Sequence, residues 1–152
     1  MGIKVGLDTN IFLNVKNKED PFYEYSKKIL DTIDAGDMEA IVSVVTIAEL
    51  CVGYYKANEL KEKDEFISGL YSNKNYKILN LDLKVADKSG EIKQKINLKL
   101  PDCIISASSI LEQATCLITN DLEFEKAKPI LKINTSKEFW EKFLKTSENE
   151  NK

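Results

Sequence analysis

Short apolar runs recur along this chain, and stretches of helical spacing separate them. The runs are Ile3 to Leu7, Ala40 to Val44, Lys77 to Leu81, Cys116 to Thr119 and, more weakly, Ile130 to Ile133. A strand with one wet face alternates apolar and polar residues. The stronger runs here do not alternate, which predicts strands buried on both faces. Between them, Phe22 to Ala35 carries Phe22, Tyr25, Ile29 and Ile33 on one helical stripe, with Gly36 placed to stop it. Thr46 to Ala57, Glu59 to Leu70 and Leu83 to Ile96 also read as helices, the last with Val85, Ser89, Ile92 and Ile96 on one face. Pro101 is placed to open another, and Ser136 to Leu144, bearing Phe139, Trp140 and Phe143, closes the series. Strands alternating with helices predict an α/β fold, a parallel sheet covered on both sides. Residues 1–145 are expected to form one domain, with no repeat or linker, and 146–152 a polar tail that frays.

Composition then narrows the chemistry. The chain has no His, and all 22 of its basic residues are Lys. Without His there is no Ser-His or Cys-His pair, no imidazole base and no imidazole metal ligand. Without Arg there is no bidentate clamp on phosphate. The net charge of −3 gives no general attraction for nucleic acid, which would need a local Lys patch or a bound cation. Cys51, Cys103 and Cys116 form no CxxC and are odd in number, against a disulfide framework or a zinc site. No leader pattern opens the sequence, and the most apolar stretch, Ala40 to Ala48, is far shorter than a membrane span. A cytoplasmic protein with no membrane contact is expected.

Four acidic residues stand out by position. Asp8 ends the first strand, in Leu7-Asp8-Thr9-Asn10. Glu49 follows the second strand, in Thr46-Ile47-Ala48-Glu49-Leu50. Asp102 follows Pro101 at a helix start, and Asp121 follows the fourth strand, in Thr119-Asn120-Asp121. Each alone has a structural explanation: Asp8, Thr9 and Asn10 are all good N-caps, Asn120 or Asp121 could cap the segment from Leu122, Thr46 with Glu49 fits a capping box, and Asp102 could complement a helix dipole. Together they suggest more. Ligands of open parallel sheets bind beyond the carboxyl ends of the strands, at the switch in strand order. If the first and fourth strands are neighbours, the four carboxylates converge there and repel. A divalent cation relieves that repulsion, and an all-oxygen donor set suits Mg²⁺ or Mn²⁺.

The ordered set Leu7-Asp8-Thr9-Asn10, Thr46-x-x-Glu49-Leu50, Pro101-Asp102-x-Ile104-Ile105-x-Ala107 and Thr119-Asn120-Asp121 resembles the PIN-domain family. The resemblance spans Ile3 to about Leu131, and the size is similar to the VapC-type toxin ribonucleases. It implies a three-layer fold with a parallel sheet of about five strands in the order 3-2-1-4-5, and a metal-dependent endoribonuclease. By motif matching, Asp8, Glu49, Asp102 and Asp121 would be catalytic residues and metal ligands, with Asn10 and Thr119 supporting the carboxylates. An RNA substrate, an antitoxin protein and homodimerisation are further implications of the same resemblance.

Two other functions compete. A phosphatase using Asp8 as a nucleophile needs a second Asp two residues on, where this chain has Asn10. A non-catalytic scaffold that binds RNA or protein is the second. Lys27 with Lys28, Lys61 with Lys63, and Lys93, Lys95 and Lys99 read as solvated helix faces with an option on RNA phosphates. Tyr23, Tyr25, Tyr54 and Tyr55 read chiefly as packing residues that could stack on bases.

Overall fold

The computed structural model describes residues 2–146, so the expected tail, apart from Thr146, lies outside the described residues. Five strands form one wholly parallel sheet: β1 (Ile3–Leu7), β2 (Met38–Ser43), β3 (Tyr76–Leu79), β4 (Cys116–Ile118) and β5 (Ile133–Asn134). Their order is β3-β2-β1-β4-β5. Among the described residues seven α-helices accompany them: α1 (Thr9–Lys16), α2 (Tyr23–Asp34), α3 (Val44–Lys56), α4 (Leu60–Ser72), α5 (Leu83–Lys95), α6 (Leu100–Leu111) and α7 (Ser136–Phe139).

Alternation along the strands divides the apolar residues between two cores. Val5, Leu7, Ala40, Val42, Cys116 and Ile118 pack with Ile11 of α1, Ile29 and Ile33 of α2, and Phe139. Leu117 and Ile133 pack with Val85 and Ile92 of α5 and with Cys103 and Ile105 of α6. Both faces of the sheet are thus dry, which is why its strands carry few polar residues and why the fold has three layers. At Gly6 the second layer comes unusually close: a Cβ there would collide with Ser109 Oγ of α6. The centre of β1 therefore has to be glycine.

Local chemistry sets the ends of the elements. Gly36, at φ 86°, closes α2: its N–H donates to Ile33 O and that of Asp37 to Thr32 O, the paired bonds of a left-handed helix stop. Ser43 caps α3 by accepting from Val45 N, so Val44 is helical and α3 starts two residues before the predicted Thr46. The expected Thr46–Glu49 capping box does not form, because Thr46 lies inside the first turn and its hydroxyl is buried against Thr9. Leu100 precedes Pro101 in α6, which moves Pro101 one position into the helix. β5 is shorter than predicted, because the chain before it is still turning: Ile130 and Leu131 N–H both donate to Ala127 O. The closing helix is a single α-turn continued as a π-turn, Trp140–Leu144. The eight-residue α1 has no counterpart in the predicted elements. Cys103 and Cys116 are buried, Cys51 is half-buried, and all three are free thiols. Among the described residues, no helix is long and apolar enough to cross a membrane.

Candidate active site

The first and fourth strands are neighbours, paired through Val5 with Cys116 and Leu7 with Ile118. Their carboxyl ends therefore bring Asp8 and Thr119 together. Asp8 is only 5 % exposed and meets three donors. Its Oδ1 accepts from Thr9 N (2.8 Å), and its Oδ2 accepts from Asn10 Nδ2 (2.9 Å) and from the Thr119 hydroxyl (2.7 Å). A carboxylate has roughly four acceptor positions, so about one stays open, on Oδ1. Thr119 Oγ1 also accepts from Asp121 N (3.0 Å), so one hydroxyl ties Asp8 to the backbone of Asp121.

Glu49 projects from α3 toward the same place. Its Oε1 accepts from the Thr9 hydroxyl (2.7 Å), which also lies 3.1 Å from Thr46 Oγ1. Asp102 lies in the first turn of α6 and makes no hydrogen bond with its carboxylate among the described residues. Asp121 caps the 3₁₀ segment Leu122–Ala127 by accepting from Glu123 N (3.0 Å).

Electrostatics links these groups. Burial pushes the Asp8 carboxyl up to about 7 against the opposing hydrogen bonds from Thr119 and Thr9 N, and the charges of Asp102 and Glu49 push the same way as burial. Burial likewise lifts Asp102 to about 6, helped by Asp121, Glu49 and Glu123 and opposed by Lys99. Asp102 is thus the common neighbour: its charge acts on Asp8, and those of Glu49 and Asp121 act on it.

Sequence reasoning missed several members of this constellation. Glu123 is a fifth acid acting on Asp102. Lys99, which the sequence offers only within a solvated basic grouping with an option on RNA phosphates, lies one helical turn before Asp102 and is its cationic neighbour. Thr9 was legible only as a cap and instead holds Glu49. Behind the acids lies a buried polar network with no local sequence signal. Asn10 Oδ1 accepts from Asn120 N (3.2 Å), and Asn120 Nδ2 donates to Asn14 Oδ1 (2.9 Å) and Ser136 Oγ (3.0 Å). Ser26 Oγ donates to Asn14 Oδ1 (3.0 Å), and Ser136 N to Asn120 Oδ1 (3.0 Å). Only the fold brings these residues together.

The donor set can be tested against a cation. It consists of carboxylate oxygens, two of which burial, reinforced by neighbouring acids, holds above their ordinary range, so the charge and the ligand chemistry suit a hard divalent ion. Among the described residues, no three Asp, Glu, His or Cys side chains are grouped as a ready-made cage. The site therefore fits a hydrated ion held directly by one or two carboxylates, the usual mode of Mg²⁺, and does not fit a dehydrated one.

A three-layer α/β fold with acids gathered at the carboxyl edge of its central strands defines a class in which ligand chemistry sits on loops above a rigid sheet. The PIN domain family model matches residues 5–129, and the chain belongs to that family. It is a family of nucleases that generally use divalent metal ions. A toxin–antitoxin complex from Klebsiella pneumoniae is 25 % identical, with a TM-score of 0.67 over 87 % of this chain and 97 % of its own. Two others are alike in fold alone. VapBC2 from Rickettsia felis, bound to a DNA fragment from its promoter, is 23 % identical, with a TM-score of 0.66 over 88 % and 98 % of the two chains. The Sarcin-Ricin loop cleaving toxin VapC20 from Mycobacterium tuberculosis is 12 % identical, with a TM-score of 0.65 over 81 % and 94 %. No curated protein matches the chain.

Proposed function

We propose that this chain is a cytoplasmic, divalent-metal-dependent endoribonuclease that hydrolyses RNA phosphodiester bonds, the toxin of a toxin–antitoxin pair, acting as a homodimer. The observation that carries the reading is the buried Asp8 carboxylate at the carboxyl end of β1, gripped by Thr9, Asn10 and Thr119 and linked through the Thr9 hydroxyl to Glu49 and through the Thr119 hydroxyl to the backbone of Asp121. The antitoxin partner is supported by neighbours that are themselves toxin–antitoxin proteins.

In this reading Asp8 and Asp121 hold Mg²⁺ or Mn²⁺ directly or through water, and Glu49 and Asp102 complete the shell. A bound divalent ion supplies Lewis-acid polarisation of the phosphate and eases deprotonation of water. The chain supplies the rest. Thr9, Asn10 and Thr119 fix the plane of the Asp8 carboxylate and leave one lone pair to offer. Asp102 and the free Oε2 of Glu49 can each accept a hydrogen bond from water and orient it. Lys99, whose charge opposes the rise at Asp102, is a cation able to meet an RNA phosphate.

The test is cleavage of several RNAs with Mg²⁺, with Mn²⁺ and with chelator. Wild type should cut only with metal, and Asp8→Asn should lose more than about 100-fold, beyond the range for outer-shell ligands. Metal binding without turnover would instead support the scaffold reading.

A further inference from the structure

A cavity of about 350 Å³ opens where the start of α2, the end of β4 and the start of α7 meet. Pro21, Phe22 and Tyr25, from the start of α2, line it with Asn120, Thr135 and Lys137. Its size falls within the range of about 300–1,000 Å³ usual for small-ligand pockets. Asn120 directly precedes Asp121, so the cavity wall and the acidic site share the segment that leaves β4. We infer that this cavity is a nucleobase subsite: it stacks the base of a nucleotide flanking the cleaved phosphate, on Phe22 and Tyr25. The identity of the ligand as RNA rests on the nuclease function proposed above.

Three features select a base as the occupant. The first is aromatic surface that is held in place. Tyr25 is half-buried, with its ring 5.6 Å from that of Trp140, and the Lys28 ammonium lies 4.3 Å from the centre of the same indole. Phe22 is 37 % exposed, so apolar surface is available at the mouth. The second is the state of the polar wall. Asn120 Nδ2 donates to Asn14 and Ser136, and Asn120 Oδ1 accepts from Ser136 N. Thr135 Oγ1 accepts from Glu138 N, and Thr135 N donates to Glu138 Oε1. These groups are already engaged, so recognition comes from stacking, which tolerates any base, more than from reading its edges. The third is charge. Lys137 is exposed and makes no ion pair with the described residues. It stands as a free cation at the mouth, where the nucleotide's own phosphate would pass.

The experiment compares an oligoribonucleotide that the protein cleaves at one bond with versions made abasic at each flanking position. Wild type should show KM raised on the order of tenfold for one abasic position, with kcat nearly kept. In Phe22→Ala and Tyr25→Leu the intact substrate should fall to the level of the abasic one, so that the difference disappears. Tyr25→Leu could unfold the Trp140 contact, so Phe22→Ala, at a partly exposed site, is the variant that decides. A second reading uses 2-aminopurine at the same position, whose fluorescence should be quenched on binding wild type and not on binding Phe22→Ala. Cleavage with an abasic penalty unchanged in Phe22→Ala overturns the subsite and leaves the nuclease standing. Quenching lost in Phe22→Ala, without any cleavage, supports the subsite and overturns the nuclease. Neither cleavage nor quenching overturns both. Unchanged RNA kinetics with lost inhibition by a protein partner would give the cavity to that partner and overturn the subsite.

Discussion

Asp8 and Asp102 belong to one acidic cluster, and both carboxyls are held above their ordinary range, yet the protein treats them differently. Asp8 is almost wholly buried and gripped by Thr9, Asn10 and Thr119. Asp102 is half-buried and no donor grips it. Three donors on a buried carboxylate stabilise its charged form against the loss of water. A carboxylate with no donor keeps its lone pairs for something else. One acid is therefore both a structural element and a candidate ligand, while the other is poised with little structural duty.

The largest effect that can break this comparison is the pH dependence carried by Asp8. Its folded value of about 7 lies above the unfolded value of 3.8. Between the two, the folded chain binds more protons than the unfolded chain, so this contribution is full below pH 4 and is lost as pH rises through 7. Urea melts of metal-free protein should show wild type losing up to a few kcal/mol across that window relative to Asp8→Asn. Added Mg²⁺ should flatten the difference, since a cation beside the carboxylate lowers its pKa. An equal slope in both proteins would mean that Asp8 is ionised throughout.

Next comes the grip itself. Thr119→Val removes the donor to Asp8 Oδ2 and the acceptor for Asp121 N, inside a site that is 2 % exposed. It should cost about 1–3 kcal/mol of stability, the range for stranding buried polar partners, and Thr119→Ser should restore most of it. Chemical denaturation of the three proteins decides this.

The smallest effect belongs to Asp102→Asn. Removing a repelled charge stabilises, but solvent screens the repulsion, and the charge is well placed in the first turn of α6, so the net change at pH 8 should be under about 1 kcal/mol. The stabilisation by Mg²⁺ in a thermal shift assay should shrink at the same time. A strong loss of stability without metal would make Asp102 a structural residue like Asp8.

The fold was largely legible because buried strands and amphipathic helices leave periodic signals. The elements that escaped lacked one. α1 is short, and the start of α3 depends on Ser43 capping two residues before the expected Thr46. At the site, the position of each acid after a strand or near a helix start was visible in sequence, and the capping box that offered a structural explanation for Glu49 does not form. Lys99 and Glu123 act on Asp102 from one helical turn before it and from the far side of β4. Asn14, Ser26, Asn120 and Ser136 meet only because α1, α2, α7 and the end of β4 converge. Contacts of that kind follow from topology, and no local pattern announces them.

The glycine in β1 acts at a distance. Gly6 lets α6 settle onto the sheet at Ser109, and Asp102 rides on the same helix two turns nearer its start. A stiff rod seated on a bare patch of backbone transmits any lift at one end to the other. A methyl group at Gly6 would wedge the rod outward and carry Asp102 away from Asp8, with no acid altered. The smallest residue of the sheet thus acts as the spacer that sets how tightly the carboxylates crowd.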